Sequence, residues 1–549
     1  MRSCGSCATM STPTVSTYAD TLLMTVSAGR ASTAMRIRIV GAGAMGRGIA
    51  QWAASAGHTV ELGDVRAEAV EDAVEFVVSM LDRAVAKGRM SAADRDASVV
   101  RLVPLEDPWA AGPDVELVIE AVREDLGTKA EVFGKLERAL PSSAVFATNT
   151  SSLSVTRIAA TLQDPSRLAG LHFFNPVPLM RIVEVVPGAA TRPEIPAALT
   201  ELVEGCGHTA VTVADTPGFL VNHAGRGLVT EALALLEESV AGPADIDRIA
   251  RDVLGLRMGP FELMDLTGLD VTAAVIDSIW QGFRYEDRLR PSYLTPNRVV
   301  AGLHGRKTGQ GWYAYGEGAR GPAPEPAVTG DGDRPVFLAP SGSVEITSYV
   351  DALAGALEAA GVRVERGAEP SPEALVLVPG WGTTVSGAIR AGGLPPERTM
   401  GVEVLPAAGR RRVLAVTAAT GPAAARDARA VLARAAADEP HAVTVVRDTA
   451  GSVAQRLLSS VVAVGASIAE RSLATPADID LAVTTGLGYP AGPLAWGERI
   501  GARRLLELQR ALHAATGDPR HRPTRWVTER ADLGLALTEA GTPVGDCWG

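Results

Sequence analysis

Cysteine is scarce in this chain of 549 residues: Cys4, Cys7, Cys206 and Cys547 are all there are. Four thiols in so long a chain imply no disulfide framework, and they fit a reducing cytoplasm. Cys4 and Cys7 form a C-x-x-C with no second ligand pair, so no metal site is expected. No run of 18 apolar residues occurs, which excludes an evident membrane-spanning helix. No block of like charge stands out either. With a net charge of −11 and a pI near 5.4, nucleic acid is a poor candidate partner. A polyanionic ligand would have to be held by local features against the global field. Residues 1–34 lack both the basic start and the solid apolar centre of a secretory signal. Met35 opens "MRIRIVGAGAMG", which already reads as the start of a domain, so translation is expected to begin at or near Met35 and residues 1–34 to be a disordered extension.

What is present describes an ordinary globular protein, 46% hydrophobic and 21% charged, long enough for roughly three or four domains. Arg36–Val40 reads as a strand, "GAGAMG" as a turn into a helix, and "HTVEL" as a second strand. Gly41, Gly43 and Gly46 make G-x-G-x-x-G: one glycine for the tight turn, one for backbone approach to a pyrophosphate, one for close helix–strand packing. Ala44 and Met45 open the helix whose N-terminus faces the phosphates. Asp64 closes the next strand, where a carboxylate accepts from a ribose 2′-hydroxyl and repels a 2′-phosphate. NAD is therefore the expected cofactor. Further strands are expected at 115–122, 144–149, 167–174 and 181–186.

The pentapeptide "PADID" occurs twice, at Pro243–Asp247 and Pro476–Asp480. Aligned without gaps, residues 215–270 and 448–503 share 17 identities in 56 positions, where chance gives roughly one in fifteen to twenty. This is an internal duplication with a period too long for a solenoid. Each PADID is expected to start a helix, with its proline in the first turn and its aspartates near the N-terminus.

The stretches "ATNTSSLS" (147–154), "GLHFFNPVPLMRIVEVVPG" (170–188), "DTPGFLVN" (215–222), "MGPFELMDLTGLD" (258–270) and "GRKTGQGWYAY" (305–315) resemble the 3-hydroxyacyl-CoA dehydrogenase family from Met35 to about Tyr315. The resemblance implies oxidation of (S)-3-hydroxyacyl-CoA by NAD⁺, with His172 as general base, Glu184 as its partner, and Ser151 and Asn222 positioning substrate oxygens. The chemistry agrees. An imidazole suits removal of a hydroxyl proton near neutral pH, and a carboxylate on a neighbouring strand can fix its tautomer. Taken singly, each residue has a plainer reading: a core histidine, a solvent-facing glutamate, two helix caps. By the same resemblance Glu120, Asn175 and Lys307 meet the nicotinamide half of the cofactor, and Lys87 falls where CoA is contacted. Lys87 reads equally well as part of a solvated helix face. The competing functions are another NAD-dependent hydroxyacid dehydrogenase using a catalytic lysine, and a nucleotide-binding scaffold without catalysis.

The implied architecture is an α/β Rossmann-type NAD-binding domain (35–214), an all-α helical domain (215–315), a Gly/Pro-rich linker (316–334), a degenerate α/β segment (335–447) and a second helical domain (448–549). In the second half Ala368 stands opposite Asp64, Glu403 opposite His172 and Gln455 opposite Asn222, while "EALVLV" echoes "VELVIE". A structural half is therefore expected, with its helical domain packing on 215–302 as an internal pseudo-dimer; the chain can also form a homo-oligomer. The layout resembles long family members acting on 3-hydroxyadipyl-CoA or 3-hydroxybutyryl-CoA, but no residue announces itself as a partner for a far carboxylate.

Overall fold

The computed structural model describes residues 34–316, 318, 322–405, 411–435 and 442–548, so the expectation for residues 1–33 lies outside the described residues. The chain divides into two compact units, Met1–Asp215 and Thr216–Gly549.

In the first unit, β1 (Arg36–Val40), β2 (Thr59–Gly63), β3 (Leu102–Pro104), β4 (Leu117–Glu120), β5 (Val145–Thr148), β6 (Leu168–Phe173), β7 (Ile182–Pro187) and β8 (Thr209–Thr212) form one sheet, ordered β3-β2-β1-β4-β5-β6-β7-β8. All neighbours are parallel except β6 and β7. The chain leaves β1 in both directions, so the gap between β1 and β4 at their carboxyl ends is the topological switch point where such sheets bind ligands. The middle strands are short apolar runs because helices cover both faces. One exception is Arg38 in β1, fully buried and held by Glu61 at 2.7–2.8 Å and by the Ala110 carbonyl. The sequence pattern had not announced β3 or β8.

In the second unit, β9 (Val336–Leu338), β10 (Val364–Glu365), β11 (Leu375–Pro379), β12 (Thr399–Val402), β13 (Arg412–Val416) and β14 (Val443–Arg447) make a six-stranded sheet ordered β10-β9-β11-β12-β13-β14. Only β12 and β13 are antiparallel, as β6 and β7 are in the first sheet. The helix after β11, Val385–Gly392, is capped by Thr384 and by Asp448, whose oxygens take the Val385 and Ser386 N–H groups at 2.8 and 2.9 Å. The helix after β5, Val155–Ala159, is capped in the same way by Ser154 and Asp215. So β11 corresponds to β5, and the second copy has no counterpart of β4. This corrects the expected likeness of "EALVLV" to "VELVIE".

Both PADID segments do start helices, Pro243–Asp252 and Pro476–Gly486, with proline in the first turn. Their second aspartate has a further task. Asp247 accepts from Phe261 N and Glu262 N, and Asp480 from Leu494 N and Ala495 N, so each caps the next helix in its copy. A Cβ at Gly259 or Gly492 would lie 2.2–2.3 Å from that aspartate, which explains the duplicated Gly-Pro.

Helix Val453–Glu470 runs against helix Arg226–Glu237, and a Cβ at Gly227 would stand 2.8 Å from the Ser460 carbonyl oxygen. Arg456, fully buried, bonds Glu231 at 2.6 Å and Glu238 at 2.8 Å across this contact. Among the described residues Val453–Glu470 is the one helix long and apolar enough to cross a membrane; 89% of it is buried inside the unit, where it serves as a core helix. The described part of the Gly/Pro-rich segment is not loose: Arg429 donates to the Pro326 and Ala327 carbonyls, Arg434 to the Gly332 carbonyl, and Arg411 pairs with Glu325. Lacking periodicity, the segment is fastened through its backbone carbonyls.

Candidate active site

At the switch point β1 passes into Gly41, whose φ of +107° is costly for any residue with a side chain. A Cβ there would meet the Ala121 carbonyl oxygen at 2.5 Å, and one at Gly46 would meet the Gly41 oxygen at 1.7 Å. Gly43 differs: nothing lies within 4 Å of the position its Cβ would take, so space stays open above the helix Ala44–Ser55 that it caps. No side chain caps that helix, leaving its first N–H groups for an anion. Ala44 is exposed and Met45 half-buried at this opening.

Asp64, just past β2, lies with Oδ2 2.8 Å from Ala42 N and Oδ1 3.0 Å from Arg66 N. The Arg66 guanidinium is 73% exposed and 4.0 Å away. Gly41, Gly43, Asp64, Trp109 and Arg123 line a cleft of about 580 Å³. An open glycine cradle, a free helix N-terminus and a fixed carboxylate beside one cleft suit a dinucleotide.

Glu120 does not face this cleft. It is fully buried at the end of β4, with its oxygens taken by Lys129 Nζ (2.7 Å), Val122 N (2.8 Å) and Thr148 Oγ1 (2.7 Å). This corrects the expectation of a nicotinamide contact: Glu120 is a strut between β4 and β5. The residue that sequence reading passed over is Glu124, four positions on. It accepts from Thr150 Oγ1, Ser151 N and Ser152 N at 2.7–2.8 Å, and Lys129 stands 3.2 Å away. Burial alone would raise its pKa, but Lys129 and these donors outweigh burial and bring it down to about 2. Glu124 thus holds the Asn149–Ser152 loop, and Ser151 Oγ lies 3.3 Å from it. No periodicity marks a loop carboxylate, so only its place after "VIEAV" could have drawn attention.

His172 and Glu184 are direct partners in the antiparallel register of β6 and β7. Nδ1 and Oε2 are 2.5 Å apart; Glu184 is fully buried and His172 nearly so. With Nδ1–H donated to the carboxylate, Nε2 carries the lone pair that can accept a proton. Asn149 Oδ1 accepts from Phe173 N at 2.8 Å and ties the serine loop to the histidine strand. Thr148 is in register with Gly170, so the Ser151 loop and His172 leave the sheet at the same carboxyl edge. Asn175 follows, exposed, with a cis bond to Pro176. Lys87 is exposed at the end of helix Ala67–Ala86.

Asn222 and Lys307 belong to the second unit. Asn222 is half-buried on the short helix Val221–Ala224. Lys307 is ion-paired to Asp270 at 2.5 Å.

The second copy has its own version of the site. Glu403 falls opposite Val413, as His172 falls opposite Glu184. It accepts from Val404 N and Leu405 N at 2.8 Å and from Ser452. Gln455 bonds Gly380, Gly382 and Glu403. The cavity they enclose is about 30 Å³, room for one water. No histidine, paired carboxylate or open cradle is left there. No metal-binding cluster of His, Cys, Asp and Glu occurs among the described residues.

A doubly wound sheet with a glycine cradle and a buried histidine–carboxylate pair is the arrangement of an NAD-linked dehydrogenase of the Rossmann class. The family model described as "3-hydroxyacyl-CoA dehydrogenase, NAD binding domain" matches residues 36–216, and that of the family's C-terminal domain matches twice, at 218–315 and 451–546. The chain belongs to the 3-hydroxyacyl-CoA dehydrogenase family. It is 34% identical to 3-hydroxyadipyl-CoA dehydrogenase of Escherichia coli over 90% of this chain and 97% of that one. It is 38% identical to a probable 3-hydroxybutyryl-CoA dehydrogenase of Bacillus subtilis, over 51% of this chain and 98% of that one. A crystal structure of 3-hydroxybutyryl-CoA dehydrogenase from E. coli K12 superposes with a TM-score of 0.77 at 33% identity, covering 91% of this chain and 99% of that one.

Proposed function

We propose that this chain oxidises (S)-3-hydroxyacyl-CoA to 3-oxoacyl-CoA, using NAD⁺ at the glycine cradle of the first unit. The observation that carries this reading is the His172–Glu184 pair at the carboxyl edge of the sheet. His172 Nε2 takes the hydroxyl proton, while Glu184 holds the ring in one tautomer and stabilises the imidazolium that forms. Ser151, steadied by Glu124, and Asn222 offer neutral groups that hold the substrate oxygens without protonating them. Bound NAD⁺ supplies the hydride acceptor. Gly41, Gly43, Ala44, Met45 and Gly46 hold its pyrophosphate, Asp64 its adenosine ribose and so the preference over NADP, and Asn175 and Lys307 flank its nicotinamide half. Lys87 is a candidate contact for CoA.

Adding acetoacetyl-CoA to enzyme and NADH should remove the NADH absorbance. No loss with any 3-oxoacyl-CoA would contradict the reading.

The domain division proposed is 35–214, 215–315, 316–334, 335–447 and 448–549, with the last region standing where a second copy's helical domain would stand. Support comes from Gly227 facing Ser460, its own counterpart at the 233-residue offset, which is the signature of a two-fold contact. Cutting the chain after Asp333 should then cause self-association; a monomeric, fully active fragment would refute it. Unpaired Cys206 and Cys547 fit the proposed cytoplasmic location.

A further inference from the structure

One helical turn beyond Asn222, the chain carries a cation with no anion. Helix Val221–Ala224 passes through Gly225, in right-handed helical geometry, into Arg226–Glu237. Arg226 donates Nε to the Asn222 carbonyl at 2.8 Å, while its Nη1 is buried without a hydrogen-bond partner. No carboxylate among the described residues lies within 4 Å of it. The contrast inside the molecule is sharp. The buried guanidinium groups of Arg38, Arg411 and Arg456 each sit on a carboxylate at 2.6–2.8 Å. Arg226 as a whole is only half-buried, but its Nη1 is shut off from water without a partner, which is unfavourable for a charged group. Burial pulls the Arg226 pKa down to about 10, with Tyr489 beside it only partly offsetting this. A guanidinium in that condition has a donor to spare for an anion.

The surroundings say which anion. The wall is supplied by the second copy: the buried phenol of Tyr489 lies beside the guanidinium, and Leu487 packs where a Cβ on Gly225 would be, at 3.2 Å. Such a wall suits a chain end better than a hydrated phosphate. At the 233-residue offset Arg226 corresponds to Ser459 and Asn222 to Gln455, so the cation occurs only in the copy that keeps the chemistry. Asn222 and Arg226 are one helical turn apart, ~5 Å, about the reach from C3 to the end of a six-carbon chain.

We propose that Arg226 binds the far carboxylate of an ω-carboxyacyl-CoA, making it the specificity residue for a dicarboxylic acyl chain. The proposal rests on the dehydrogenase reading above, with Asn222 at the substrate oxygen. It also gives the second half a role in the site, through Tyr489 and Leu487.

Titration calorimetry with adipyl-CoA and hexanoyl-CoA, equal in carbon count, tests this on the full chain with NADH present. The intact protein should bind adipyl-CoA about 30-fold more tightly. Arg226→Gln should erase that preference, and Arg226→Lys should keep part of it. Equal affinity in the intact protein, a preference that survives Arg226→Gln, or an equal loss of both ligands would overturn the proposal. NADH formation from (S)-3-hydroxyhexanoyl-CoA judges the dehydrogenase reading separately: turnover without the binding preference sinks only the role of Arg226, and preference without turnover sinks only the reaction.

Discussion

The two copies within this chain keep the same backbone solutions and differ in nearly every reacting group. Asp215 and Asp448 cap equivalent helices, Asp247 and Asp480 cap the next pair, and Gly259 and Gly492 make room for those carboxylates. Positive φ is kept at Gly218 and Gly451, and at Gly268 and Gly501. Meanwhile His172 gives way to Glu403, Glu184 to Val413 and Asp64 to Ala368, and the cavity beside Glu403 holds only about 30 Å³. Capping aspartates and turn glycines are paired with the fold itself, so losing one costs stability in either copy. A catalytic histidine contributes to the reaction alone. Once one copy performs the chemistry, the other can fill its site with apolar groups and satisfied hydrogen bonds.

The sharpest way to break this comparison is to remove the proposed base. His172→Gln should lower kcat by about 10²–10⁴-fold with NADH affinity unchanged, as read by fluorescence titration. Turnover within tenfold of the parent would place chemistry elsewhere. Next come the paired glycines. Gly259→Ala and Gly492→Ala should each destabilise by about 2 kcal/mol, because the added methyl overlaps a capping aspartate. Denaturant midpoints check this, and a loss in only one copy would show that the caps are not equivalent.

These two tests separate what could be read from the sequence from what could not. The His172–Glu184 pairing was legible through the family resemblance, and two neighbouring strands could bring the two residues together. The Rossmann turn was legible from three glycines and Asp64. The PADID helices were legible from their prolines, but the reach of Asp247 to the next helix was not, because it spans 14 residues and depends on how two helices cross. Nor was the missing strand of the second sheet, since "EALVLV" resembles any buried strand and only the Thr384–Asp448 cap fixes its place. Glu124 and Arg226 were missed for a shared reason. Their importance lies in which polar groups surround them or fail to, and one-dimensional patterns carry no such record.

A third test concerns the loop that carries Ser151. Glu124 has a folded pKa of about 2 against an ordinary 4.5, so its stabilising contribution is present above pH 4.5 and is lost as pH falls toward 2. Glu124→Gln should therefore cost roughly 2 kcal/mol at pH 7, allowing for a carboxylate a third exposed, and the gap should narrow toward pH 3 in urea unfolding. A gap constant with pH would mean the carboxylate's charge is not what holds the loop. The smallest effect belongs to the closed second site. Glu403→Gln should cost about 1 kcal/mol of stability, with kcat within twofold of the parent; a large loss of kcat would reveal a link between the copies.

The central claim is that the chemistry of this duplicated chain resides once, in the first copy. Isothermal titration with NADH reads that most directly. The account predicts one NADH bound per chain; a stoichiometry of two would contradict it.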